Sequence, residues 1–233
     1  MQIAIISDIH SNLAALEAVL AEIDRCGVEK VYCLGDVVGY GADPAICIDL
    51  VRERCERTVL GNHDLAVATG EGIEYLPDEG QIAAEHNSEQ FGEDQRAWLK
   101  SLPYTETVGN YTFVHASPGS PERWLRVESF FLAQDQFNHF DNDLCFVGHT
   151  HLPGILCNQL GVLRVREGHR YMINVGSVGQ PRDGDPRASF GLFDPSTFSY
   201  ELKRIPYNVE RSVKRIWDEG LPKRLGKRLQ KGS

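Results

Sequence analysis

Apolar residues fall into short blocks that alternate with longer amphipathic stretches. Ile3 to Ile6, Val31 to Leu34, Thr58 to Leu60, Tyr111 to Val114 and Leu144 to Val147 are runs of three to four residues bounded by polar or glycine residues. Unbroken apolar runs of that length read as strands buried on both faces. Leu13, Leu16, Leu20 and Ile23 follow helical spacing, with Asn12 or Ser11 as a cap and Gly27 beyond the end. Asp43-Pro44 opens a second helix that extends to about Cys55. This β-α-β-α-β order predicts a parallel sheet with helices packed on it.

Residues 65–100 change character and predict two helices, Asp78 to Phe91 and a second one capped by Asp94. They are inserted after the third strand and read as a cover or as an ordinary helical layer. Beyond them strands dominate. Thr105 to Val108 and Tyr111 to Val114 flank a Gly109-Asn110 turn. Phe130 to Phe140 predicts a helix. Gly154 to Cys157, Val162 to Val165, Tyr171 to Val175, Ser189 to Phe193 and Ser199 to Ile205 predict further strands. Two stacked sheets with helices outside hold them all. From 208 to 233 the pattern is helical, with Val209, Val213, Ile216 and Trp217 in one stripe and Leu221, Leu225 and Leu229 in another. The expected organisation is one domain over 1–207 and a basic helical tail over 208–233 packed on it.

Charge sharpens this division. The 233 residues carry a net charge of −9, but residues 208–233 hold eight basic and three acidic side chains, or +5, which leaves −14 for the rest. The basic face of the tail reads as a solvated surface, or as one that docks against the acidic body or a second subunit. An acidic body disfavours duplex nucleic acid, which needs a positive surface. No apolar run approaches the roughly 20 residues that span a bilayer. The chain opens directly on a strand pattern, so the expectation is a cytoplasmic protein. The six cysteines form no Cys-x-x-Cys pair and read as reduced, small buried side chains.

The candidate chemistry sits where five of the strands end. Ile3 to Ile6 runs into Asp8 and His10, Val31 to Leu34 into Asp36, and Thr58 to Leu60 into Asn62, His63 and Asp64. Tyr111 to Val114 runs into His115, and Leu144 to Val147 into His149 and His151. Ligands collect at the carboxyl ends of strands in open α/β sheets. Oxygen and imidazole ligands without cysteine suit Mn, Fe, Co or Zn and disfavour a structural zinc knot. Asp8 and His10, and likewise His149 and His151, are two apart, so each pair faces one side if the strand continues. Asp8, His10, Asp36, Asn62, His115, His149 and His151 are more ligands than one tetrahedral site takes. They suit two ions sharing one carboxylate, with Asp36 as the central bridge.

These residues resemble a known family. Asp8-Ile9-His10, Gly35-Asp36, Gly61-Asn62-His63-Asp64, His115 and Gly148-His149-Thr150-His151 are similar, in order, to the five motifs of calcineurin-like metallophosphoesterases. The segment Asn174 to Arg182 resembles the one that closes the domain in small bacterial members. The resemblance implies a four-layer α/β/β/α sandwich of two mixed sheets. It implies one metal on Asp8, His10, Asp36 and His151 and another on Asp36, Asn62, His115 and His149, with a bridging hydroxide as nucleophile. His63 is then the general acid, or stabilises the phosphoryl charge, and Asp64 orients it through a hydrogen bond. Asn62, His63 and Arg182 are the expected substrate contacts, because an arginine fork matches phosphate oxygens. For Arg187 and for Arg182, a local salt bridge to Asp183 or Asp185 is the alternative.

The implied function is hydrolysis of a phosphomonoester or phosphodiester of small size, a phosphorylated or nucleotide substrate. Two divalent transition-metal ions serve it, Mn first, with Fe, Ni, Co or Zn as the other fits. Dinucleoside-polyphosphate hydrolysis and protein serine/threonine phosphatase activity are alternatives within the class. A binding scaffold on the same fold is the alternative outside it, and self-association through the C-terminal helix is a further expectation. His86, His139 and His169 lie outside the motifs and read as surface or helix histidines.

Overall fold

The computed structural model describes residues 2–162 and 164–233. Two mixed five-stranded sheets form its centre. The first contains β1 (Ile3–Ile6), β2 (Lys30–Cys33), β3 (Arg57–Thr58), β9 (Ala188–Asp194) and β10 (Ser199–Ile205), in the order β10-β9-β1-β2-β3. The second contains β4 (Thr105–Val108), β5 (Tyr111–Val114), β6 (Leu144–Val147), β7 (Gly154–Cys157) and β8 (Tyr171–Asn174), in the order β4-β5-β6-β8-β7. Strands β1, β2 and β3 are parallel, as are β5, β6 and β8. The sheets therefore present the carboxyl ends of all six at comparable edges.

Alternation along the central strands builds the layers. Ile3 and Ile5 of β1 meet Phe113, Leu144, Phe146, Tyr171 and Ile173 between the sheets. Ala4 and Ile6 face the other way, into a cluster with Leu16, Val19 and Ile23 of α1 (Leu13–Arg25). On the second sheet, Cys145, Val147 and Met172 pack outward with Ala133 of α6 (Phe130–Gln136) and Phe137. Both faces of each sheet are buried, which is why β1 and β6 read as unbroken apolar runs. The result is the expected α/β/β/α sandwich.

Several expected boundaries move. The third strand is only Arg57–Thr58, although Val59 N–H still bonds to Cys33 O at 3.0 Å. Of the expected strand Val162 to Val165, Leu163 lies outside the described residues and its neighbours are irregular. The helix expected to reach Phe140 ends at Gln136. Asn12 caps α1 by accepting from Ala15 N–H. Asp43 precedes α2 (Pro44–Arg54) without a capping bond, because its carboxylate pairs with Arg215 at 2.9 Å. All six cysteines are free thiols.

Residues 62–101 form α3 (Asn62–Thr69), α4 (Asp78–Ser88) and α5 (Glu93–Ser101). Asn87 in α4 is completely buried and bonds to the loop after β2. The tail forms α7 (Val209–Asp218) and α8 (Lys223–Lys231). Val213, Ile216, Leu221, Leu225 and Leu229 are buried in one cluster with Tyr40, Ala42 and Ala83. Arg211 pairs with Glu17, Arg215 with Asp43 and Arg224 with Glu79. Part of the basic tail thus faces the acidic body, and most of its apolar stripe packs within the chain, with Trp217 left exposed. Among the described residues, no helix is long and apolar enough to cross a membrane.

Leu225 is fully buried at the centre of the tail cluster. Leu225→Ala is expected to destabilise the protein by about 2–5 kcal/mol, the usual cost of a core leucine truncation. Denaturant unfolding of the full chain checks this, and a loss below about 1 kcal/mol would mean that the tail packs loosely.

Candidate metal centre

The ligand-bearing side chains are delivered by loops, and those loops are strained. Asp8, His10, Asp36, His149 and His151 all have positive φ, between 51° and 65°. Left-handed backbone is uncommon outside glycine and persists only where the surroundings impose it. Here the loops impose it on one another. Asp8 N–H bonds to Gly35 O at 3.0 Å, His10 N–H to Asp36 O at 2.9 Å, and Gly179 N–H to Asp8 O at 2.9 Å. The expectation that Asp8/His10 and His149/His151 share a side by strand alternation is therefore corrected. Each pair sits beyond its strand, and left-handed turns, not period-two geometry, bring it inward.

Hydrogen bonds fix three imidazoles. His10 Nδ1 lies 3.0 Å from Val38 O, His115 Nδ1 2.7 Å from Leu34 O, and His151 Nδ1 2.5 Å from Gln180 O. A carbonyl requires the proton on Nδ1, so in the neutral ring Nε2 is left with a lone pair directed into the site. His10 Nε2 and His151 Nε2 are then 3.1 Å apart, two acceptors face to face. His115 Nε2 is 3.2 Å from His149 Nδ1. Asp8 Oδ1 is 3.3 Å from His151 Nε2, and Asp36 Oδ2 is 3.3 Å from His115 Nε2 and 3.6 Å from His10 Nε2. Among the described residues, three groupings could hold a cation: Asp8, His10 and His151; Asp36, His115 and His149; and His10, Asp36 and His63. Asn62 Oδ1 is buried with no hydrogen-bond partner. Converging lone pairs, two carboxylates and an orphaned amide oxygen fit divalent cations, and Asp36 stands between the two main groups.

The electrostatics agree with that fit. Burial holds His10 and His151 well below the ordinary histidine range and takes His149 down to about 3. Their rings are therefore neutral and free to ligate. Burial opposes charge on His115 too, but Asp36 and Asp8 outweigh it and hold its pKa up at about 9. Burial raises Asp8 to about 6. In Asp36 burial is outweighed by His115 and His63, and the carboxyl lies well below its usual range.

His63 is the second residue of α3, and its backbone N–H donates to Asp36 Oδ1 at 2.8 Å. Its ring is 4.9 Å from that of His10 and lines the cleft over the candidate metal positions. Asp64 differs from expectation. As the third residue of the helix it reaches back to Gly61 N–H at 3.2 Å and accepts from Val38 N–H at 3.1 Å. Its oxygens serve the helix terminus, and His63 Nδ1 is left without a partner. Arg182 lies in the cleft with its Nε buried and unpartnered, and Nη2 donates to Gln180 Oε1 at 3.0 Å. Arg187 takes the local alternative and pairs with Asp185 at 2.6 Å, while Asp183 pairs with Arg204. Outside the site, His86 faces Glu219 and His139 faces Asp135, each at 3.6 Å.

The cleft has a volume of about 1130 Å³. Residues 71–77 form one wall, and the loop after β5, with Glu122, Arg123, Trp124 and Arg126, forms another. That loop was not legible as part of the site. Tyr40 also lines the cleft, and the only signal for it in the sequence is the Gly39-Tyr40-Gly41 triplet just after Asp36.

The fold and site together define a metal-dependent phosphoesterase, and comparisons with known proteins identify the family. Residues 1–197 match the calcineurin-like phosphoesterase superfamily domain, and the chain belongs to that superfamily. It is 40% identical over 237 residues to an uncharacterized protein of Methanocaldococcus jannaschii, covering 97% of this chain and 96% of that one. It superposes on the crystal structure of a metallophosphoesterase from Sphaerobacter thermophilus with a TM-score of 0.90 and 37% identity, covering 100% of this chain and 99% of the other. A hypothetical protein from Pyrococcus horikoshii OT3 shares the fold, with a TM-score of 0.82 at 22% identity over 100% and 98% of the two chains. The chain is a hydrolase of phosphate ester bonds.

Gly148 tests the cradle. A methyl group there would overlap Ser7 Oγ and Asp8 Oδ2. The same carboxylate accepts from Ser7 Oγ at 2.7 Å and from His149 N–H at 3.0 Å. Gly148→Ala is expected to weaken divalent-metal binding about 10–100-fold, the range for disturbing a ligand's supporting contacts. Calorimetric titration with Mn checks this, and unchanged affinity would remove Asp8 from the ligand set.

Proposed function

We propose that the chain hydrolyses small phosphate esters at a dinuclear centre, with Asp36 shared between two divalent cations, Mn first among them. Asp8, His10 and His151 hold one cation with Asp36. Asn62, His115 and His149 hold the other. The observation that carries this reading is the convergence of two groups on the Asp36 carboxylate: His10 Nε2 and His151 Nε2, two acceptors 3.1 Å apart, on one side, and His115, His149 and the unpartnered Asn62 Oδ1 on the other. When bound, the cations supply Lewis-acid polarisation of the phosphoryl oxygens and neutralise developing charge.

The chain's own residues account for the other tasks. Arg182, with no carboxylate partner among the described residues, offers its fork to the non-reacting phosphoryl oxygens. His63 gives a proton to the leaving oxygen. Burial keeps its ring neutral, with a pKa lowered to about 4, and a phosphate arriving against it favours the charged form. The cleft carries both signs of charge, with Tyr75, Tyr104 and Trp124 on its walls. Such a rim suits a small phosphorylated molecule better than a duplex, and a cytoplasmic location agrees with the free cysteines. Every ligand position is filled, which favours an enzyme over a binding scaffold.

Chelation is expected to abolish hydrolysis of nitrophenyl phosphate esters, and added Mn to restore it. Asp36→Asn is expected to cost more activity and metal than His149→Ala, because it loosens both ions. An Asp36→Asn protein with two tightly held metals and near wild-type rate would contradict the shared carboxylate.

His63→Ala is expected to retain both metals and lose about 10²–10⁴-fold in turnover on alkyl esters, with a milder loss on nitrophenyl esters, as befits a positioned acid. Loss of a metal in that variant would place His63 among the ligands, with His10 and Asp36. Asp64→Asn, by contrast, is expected to lower stability without a leaving-group dependence.

A further inference from the structure

We propose that Tyr40 is a positioning residue for phosphate binding: its ring seats the Arg182 guanidinium beside His63, and Asn87 locks that ring in place. The proposal rests on the reading that Arg182 binds the phosphoryl group. Tyr40 is 4% exposed, too deeply buried to serve as a general substrate contact. The Arg182 Cζ lies 5.8 Å from the centre of its ring. On its other sides the ring meets His63 at 4.4 Å and His10 at 4.8 Å, centroid to centroid. One aromatic side chain thus contacts a metal-site histidine, the proposed acid and the proposed phosphate fork. A guanidinium above an aromatic face is attracted by the ring quadrupole and loses rotamer freedom.

The backbone that carries Tyr40 is strained and specifically held. Tyr40 has φ 56°, an outlier for a bulky side chain. Gly39 has φ 91°, and a Cβ there would sit 2.6 Å from His63 Nδ1. Asn87 clamps both sides of the turn. Its Oδ1 accepts from Gly39 N–H at 2.8 Å and from Ser11 Oγ at 2.7 Å, and its Nδ2 donates to Gly41 O at 2.9 Å. The amide side chain substitutes for a strand partner and holds Tyr40 between two fixed peptide groups. Strain that surroundings over-determine in this way clusters at functional sites.

Two further contacts close the device. The tail helices bury the outer flank of Tyr40, which shares a cluster with Ile216, Leu225 and Leu229. Gly232 O accepts from Gly184 N–H at 2.8 Å, tying the end of the chain to the loop that carries Arg182. The ring and the guanidinium are thus held from opposite ends by the same tail. Residues 78–88 and 208–233, which carry none of the metal motifs, acquire a role in the site through this one ring.

The test measures binding of inorganic phosphate to the Mn-loaded full chain by calorimetry. Metal content and unfolding midpoint are recorded for each variant. Tyr40→Leu and Arg182→Ala are each expected to weaken phosphate binding about tenfold with metal content retained, in line with a desolvated cation–π contact. Tyr40→Phe keeps the ring and is expected to stay within about twofold of wild type. The double variant is expected to bind no more weakly than Arg182→Ala alone, because the two act as a unit. Asn87→Ser frees the turn without touching the ring and is expected to reproduce the loss, which keeps the proposal testable if Tyr40→Leu does not fold. Wild-type phosphate affinity in Tyr40→Leu or Asn87→Ser, or full additivity in the double variant, would overturn the positioning role and leave Arg182 assigned. Equal losses in Tyr40→Phe and Tyr40→Leu would overturn it as well. Wild-type affinity in Arg182→Ala would instead overturn the reading of Arg182, and the role of Tyr40 with it.

Discussion

Five acidic and imidazole side chains are held in left-handed backbone at the ends of parallel strands, and the rest of the site follows from that constraint. Each such conformation costs on the order of 1–3 kcal/mol. The cost is tolerated because adjacent loops continue the hydrogen-bonding of the strands beneath them. Asp8 leans on Gly35, His10 on Asp36, and the loop after β8 closes on Ser7 and Asp8. The two sheets supply the rigidity. Their shared core, built from Ile5, Phe113, Phe146 and Ile173 among others, leaves the strand ends little freedom to drift.

Lone pairs facing lone pairs are a second cost, and it is electrostatic. His10 and His151 donate Nδ1–H to backbone carbonyls and point Nε2 at each other. Without a cation the only relief is a proton, and burial works against that proton. His115 shows the other limit, where two carboxylates hold the proton in place. Divalent cations resolve both situations at once, which makes metal binding and local stability the same event.

Much of this was legible in the sequence, because the candidate metal ligands follow apolar strands at short fixed distances. The buried central strands β1, β2 and β6 declare themselves by unbroken apolar runs, and the amphipathic α1 and α7 by their spacing. What the sequence did not disclose depended on backbone geometry. The left-handed positions at Asp8 and His149 are not themselves glycines, so strand alternation brought each pair together for the wrong reason. The resemblance made Asp64 a partner for His63, but the helix begins at Asn62 and places Asp64 where it caps. Arg187 and Arg182 are alike in sequence, and only the fold separates a surface ion pair from a half-buried guanidinium with no carboxylate partner among the described residues. Asn87, Trp124 and the cleft wall at 71–77 are brought in from segments that carry no motif.

The most direct test of the proposed dinuclear site is anomalous diffraction at the Mn edge from crystals grown with Mn. Two peaks roughly 3.5–4 Å apart, on either side of the Asp36 carboxylate, are the expected result. One would lie against Asp8, His10 and His151, and the other against Asn62, His115 and His149. A single peak, or a second peak bound by residues outside this set, would contradict the shared-carboxylate centre.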